Sequence, residues 1–107
     1  MYGFKEVDAA GFEALKTSGV YMLIDVRTDA EVSRGVIDDA MHLPLHLLPV
    51  KAQDIPQDKP VVFYCQSGGR SAQACAFMAA KGFGNVYNLQ GGIMGWTRSG
   101  KPLSAVA

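Results

Sequence analysis

The sequence predicts an α/β domain whose mostly parallel central sheet, of about five strands, is covered by helices on both faces. Three observations carry that expectation. Short apolar runs alternate with helical patterns along the chain. Two of those runs, Val20-Tyr-Met-Leu-Ile-Asp-Val26 and Val61-Val-Phe-Tyr64, are almost unbroken, as strands buried on both faces are. The length of 107 residues suits one domain, enough to bury roughly two thirds of its unfolded surface around a single core. One domain over 1–107 is expected, with its core at about residues 4–102.

Phe4-Lys-Glu-Val7 is short and alternating, which reads as a first, edge strand. Asp8 is placed to cap a helix whose stripe is Ala9, Ala10, Phe12, Ala14 and Leu15 and whose end is Ser18-Gly19. Val20 to Val26 is the first central strand, closing on Asp25-Val26-Arg27. Glu31 follows Arg27 by four residues, so the two are expected to pair if a helix starts near Thr28 or Asp29. Ala40-Met-His-Leu-Pro-Leu45 reads as a short strand that leaves the sheet at Pro44. His42 and His46 have no cysteine or carboxylate at ligand spacing and read as packed or half-exposed histidines. Leu47, Leu48 and Val50 give a short helical pattern, and the polar, proline-bounded stretch 51–60 leads into the next strand.

That strand, Val61 to Tyr64, stops at Cys65-Gln-Ser-Gly-Gly-Arg70, and a helical pattern restarts at Ser71. The paired glycines Gly68 and Gly69 allow a backbone turn in which successive N–H groups point inward. The helix start beyond adds free N–H groups and a positive dipole end. A sulfur at Cys65 thus opens an anion pocket. The nest, the dipole and the Arg70 guanidinium should lower its pKa and make it nucleophilic. The helix should end at Lys81-Gly82, with Cys75 in its alanine-rich core face. Asn85-Val-Tyr-Asn-Leu89 is the last strand; Gln90-Gly-Gly-Ile-Met-Gly-Trp96 follows as a turn and short helix with Trp96 packed inside. The tail from Lys101 carries no pattern that fixes its order.

Ten Lys and Arg balance ten Asp and Glu, which argues against nucleic acid or an anionic membrane as the main partner. No apolar run approaches the ~18 residues of a membrane span, and the first residues lack a signal-peptide pattern. A reducing cytoplasm is the expected compartment.

The stretch Cys65 to Arg70 resembles the active-site loop of the rhodanese (thiosulfate sulfurtransferase) family. Two flanking segments resemble that family's other motifs: Asp25-Val26-Arg27 with Glu31 and Gly35, and Gln90-Gly-Gly with Trp96. The family usually has histidine where Val36 stands and often glycine where Asp39 stands. The resemblance implies a rhodanese-like fold and a sulfurtransferase in which Cys65 takes sulfur from thiosulfate or a similar donor as a persulfide. A thiol, including a protein thiol, or cyanide then accepts it. It also implies that Gln66, Ser67, Gly68, Gly69, Arg70 and Ser71 bind the donor anion and the persulfide, with Arg70 on the donor's charge. No metal or organic cofactor is implied. Dual-specificity phosphatases of the same fold have five residues between cysteine and arginine; four, Gln66 to Gly69, stand here, which favours sulfur over phosphate. The alternatives are a phosphatase or arsenate reductase on the same loop, and a non-catalytic rhodanese-like binding module.

Overall fold

The structure is a computed structural model that describes residues 3–105. Strands β1 (Lys5–Val7), β2 (Met22–Asp25), β3 (Met41–His42), β4 (Val61–Tyr64) and β5 (Val86–Leu89) form one sheet in the order β1-β5-β4-β2-β3. Every neighbouring pair is parallel. β4 lies in the middle, with β2 beside it. Both edge strands are very short, which leaves little free ladder for another chain to pair with.

Side chains alternate across β4 and sort the core into two layers. Val61, Phe63 and Cys65 face the layer built with α3 (Leu48–Lys51) and α4 (Gly69–Ala80), where Leu48, Ala74, Cys75 and Met78 are buried. Val62 and Tyr64 face the opposite layer, built with α1 (Ala9–Thr17) and α5 (Gly92–Arg98) around Phe12, Ile93 and Trp96. Each such apolar side chain contributes roughly 1.5–3 kcal/mol on burial. No helix among the described residues is long and apolar enough to cross a membrane.

The first helix is capped as its sequence suggests: Gly11 N donates to Asp8 Oδ1 at 2.8 Å. Thr28 caps the short α2 (Asp29–Val32) in a reciprocal box. Glu31 N donates to Thr28 Oγ1 at 3.3 Å, and Thr28 N donates to Glu31 Oε1 at 3.0 Å.

One expectation needs correction, and two boundaries are refined. The Arg27 guanidinium does not meet the Glu31 carboxylate. It folds back on Asp25, with Nε to Oδ1 at 3.0 Å and Nη2 to Oδ2 at 2.8 Å, and Nη2 also donates to Gly35 O at 2.7 Å. Arg27 N also donates to Asp25 Oδ1 at 2.9 Å, so the bend leaving β2 closes on the nearer carboxylate. The helix after the loop begins at Gly69, two residues before Ser71. Backbone pairing also continues past residue 102, where none of the described side chains is buried. Val36 and Ser104 exchange N–H···O bonds of 2.8 and 2.7 Å, and Trp96 Nε1 donates to Pro102 O at 2.8 Å. A single antiparallel bridge has no periodicity to announce it.

Candidate active site

Cys65 follows the last residue of the middle strand and is 1 % exposed, so its sulfur lies at the bottom of the loop. Gly68 N reaches Sγ at 3.1 Å and Ser71 N at 3.4 Å, with Ser71 Oγ also at 3.4 Å. Burial pushes the Cys65 pKa up, but hydrogen bonds from the Ser71 side chain and backbone and from the Gly68 and Ser67 backbones outweigh it, and the net direction is down. The Ser71 hydroxyl has one proton and two acceptors. It lies 2.5 Å from Asn88 Oδ1, so beside a neutral thiol the hydroxyl donates to Asn88, and a charged sulfur is what would draw that donation over.

Gly68 is the residue that needs a left-handed conformation, at φ +113°, and it precedes the first turn of α4. Gly69 is helical, and a Cβ there would meet nothing, so the second glycine is not demanded by the turn. Gln66 and Ser67 are exposed on the rim. The free N–H groups of the α4 start converge on the sulfur, as expected of a helix N-terminus carrying an anion.

Arg70 is held differently from expectation. Its Nη1 and Nη2 each donate to a Glu31 carboxylate oxygen at 2.8 Å, a bidentate pair joining the first turn of α4 to α2. Arg70 first, then the Thr28 backbone, holds the Glu31 pKa down at about 2. The guanidinium therefore reaches the loop already neutralised, and Glu31 belongs to the site although its spacing pointed to Arg27.

Asn88 on β5 is the residue that sequence reasoning missed. It is buried, accepts from Ser71 Oγ, and donates through Nδ2 to Gly68 O at 3.2 Å and to Glu6 Oε1 at 3.1 Å. One side chain thus grips both residues whose N–H groups face Sγ. A polar residue amid the apolar Val86–Leu89 run was the available signal.

The C-terminal element locks the loop from the far side. Ile93 N donates to Cys65 O at 2.9 Å and Met94 N to Gln66 O at 3.1 Å. Gly92 makes this possible: it sits at φ +59°, and a Cβ there would fall 2.5 Å from Gln66 O. Trp96 is packed against Phe12, with ring centroids 5.7 Å apart.

Two hollows open beside the loop. One, of about 270 Å³, is bounded by Thr28, Pro44, His46 and Arg70. The other, of about 190 Å³, is bounded by Glu31, Arg34, Gln66 and Met94. A larger hollow of about 540 Å³ around Lys16 and Tyr21 lies at the amino end of β2, away from Cys65. His42 is placed structurally, its Nε2 2.7 Å from Arg27 O. Cys75 is fully buried and free, and burial pushes its pKa up, away from any thiolate role.

Residues 8–99 match the model of the Rhodanese-like domain family. A protein of Allochromatium vinosum named sulfurtransferase is 51% identical over 84 residues, covering 78% of each chain. Thiosulfate sulfurtransferase GlpE of Pseudomonas syringae is 32% identical over 96 residues, covering 90% of each. The crystal structure of a rhodanese-related protein from Thermoplasma volcanium superposes with a TM-score of 0.86 at 28% identity, over 95% of this chain and 99% of that one. The matched residues span the Cys65 loop, both flanking elements and strands β2 to β5, and the chain belongs to the rhodanese-like domain family.

Proposed function

We propose that this protein is a sulfurtransferase that carries sulfane sulfur on Cys65. The thiolate attacks the outer sulfur of thiosulfate or a similar donor. The donor's S–S bond breaks, its electron pair leaves with sulfite, and a Cys65 persulfide remains. A thiol, or cyanide in an assay, then attacks the terminal sulfur and the thiolate returns as leaving group. The loop N–H groups hold the negative sulfur in both states. The relatives named sulfurtransferase, one of them a thiosulfate sulfurtransferase, support this reading. It needs no metal or organic cofactor.

The observation that carries it is a thiol almost sealed from solvent, with Gly68 N and Ser71 N converging on its sulfur. A slender terminal sulfur can reach such a group end-on. A phosphorus centre ringed by oxygens needs its donors farther out, which disfavours the phosphatase reading of the same loop.

Incubation with thiosulfate should add the mass of one sulfur atom to the protein, removable by cyanide or a reductant. Cys65→Ser should abolish the adduct and Cys75→Ser should leave it. An adduct that survives in Cys65→Ser would move the nucleophile elsewhere. Cysteine-dependent hydrolysis of an aryl phosphate faster than sulfur transfer would replace the function with the phosphatase alternative.

A further inference from the structure

The loop's one guanidinium is already engaged. Both outer nitrogens of Arg70 donate to Glu31, at 2.8 Å each, which balances its charge, and the same carboxylate accepts Thr28 N at 3.0 Å, which fixes it in place. The neighbouring Arg27 is likewise neutralised by Asp25. Arg34 stands exposed on the rim of the smaller hollow, where water and salt screen it. The ionised groups paired at the mouth of the loop are the Arg70 cation and the Glu31 anion, which together with the thiolate make a net of one negative. A dianionic donor enters against that balance, and a monoanionic one pays about half as much.

We propose that Glu31 is a specificity-determining residue of this site, biasing it toward sulfane donors with a single negative charge, such as thiosulfonates and persulfides, over dianionic thiosulfate. The inference rests on the sulfurtransferase reading. With a thiosulfonate the step balances as it does with thiosulfate: the Cys65 thiolate bonds the terminal sulfur, the S–S bond breaks, and sulfinate leaves with the electron pair. One negative charge enters and one leaves.

The test compares kcat/KM for thiosulfate and for methanethiosulfonate, its monoanionic counterpart, in four proteins: unmutated, Glu31→Gln, Arg70→Gln and the double variant. Glutamine at 31 keeps an acceptor for Thr28 N, so the α2 cap survives, and thermal melting checks that each variant folds. Counting charge, Glu31→Gln should raise thiosulfate kcat/KM roughly tenfold and Arg70→Gln should lower it by about as much. The double variant, whose net charge is again that of the native site, should return to within about threefold. With methanethiosulfonate each change should be roughly threefold, half as large on a logarithmic scale. The assignment is overturned if Glu31→Gln loses activity or leaves it unchanged, if both donors respond equally, or if the double variant is as poor as Arg70→Gln. The last result would mean that Arg70 grips the donor directly. Sulfur loading of Cys65 by neither donor in the unmutated protein would remove the sulfurtransferase reading itself, whereas loading that ignores the charge count removes only the role of Glu31.

Discussion

Asn88 does its work at one remove from the sulfur. Its amide oxygen receives the Ser71 hydroxyl, and its amide nitrogen holds the Gly68 carbonyl, so the N–H groups of both residues are aimed at Cys65 Sγ. Asn88→Leu should keep the volume and lose both grips, at a stability cost of about 1–3 kcal/mol for the buried groups left unpaired. It should also shift the Cys65 pKa, upward where the lost aim of the Gly68 and Ser71 N–H groups dominates and downward where the freed Ser71 hydroxyl turns to Sγ. Thiolate absorbance followed against pH reads this directly. An unmoved titration in a folded, destabilised variant would make Asn88 merely structural. Asp39 shows another residue-scale constraint. It stands at φ 71°, a left-handed conformation, which gives a physical reason for the glycine the family often has there.

At the scale of elements, most of the architecture was legible because each strand and helix carries its own period and punctuation. Asp8, Gly19, Gly82 and the Val61–Tyr64 run each did in the structure what their chemistry suggested. What escaped was pairwise and long-range. Spacing along the chain offered Glu31 to Arg27, but the fold brings Arg70 from 39 positions away to take it. The Gly91-Gly92 pair read only as a turn, and its purpose is visible only once α5 is seen against the loop backbone. Gly92→Ala tests that purpose. The methyl group would collide with the Gln66 and Cys65 carbonyls at 2.5 and 2.6 Å and force a left-handed alanine, so α5 must shift and take its two hydrogen bonds to the loop with it. A loss of about 2–4 kcal/mol in denaturant unfolding is expected, with sulfur loading of Cys65 slowed as well. Gly69→Ala, where a methyl meets nothing and the backbone is helical, should by contrast be neutral or stabilising by up to about 1 kcal/mol.

At the scale of the whole molecule, the Glu31–Arg70 pair ties α2 to the start of α4 across the mouth of the site, so one contact links global stability to the loop. Its pH dependence follows from the Glu31 pKa, held at about 2 against an ordinary 4.5, chiefly by Arg70 and then by Thr28. A carboxyl depressed in the folded state contributes stability that is complete above the unfolded value and is lost as pH falls through the folded one. A drop of about 2.5 corresponds to ~3 kcal/mol at ~1.36 kcal/mol each. Arg70 is 37% exposed, so solvent screening reduces that to roughly 1–2 kcal/mol. Glu31→Gln should therefore be less stable than the native protein by about that amount at pH 7. The gap should close progressively between about pH 4.5 and 2, where the native carboxyl takes up its proton and the two side chains become equivalent in charge. Urea unfolding of both proteins across that range measures it. A gap of constant size from pH 7 to 2 would show that glutamine costs packing or capping rather than charge, and would remove the ion pair from the account of what holds the loop in place.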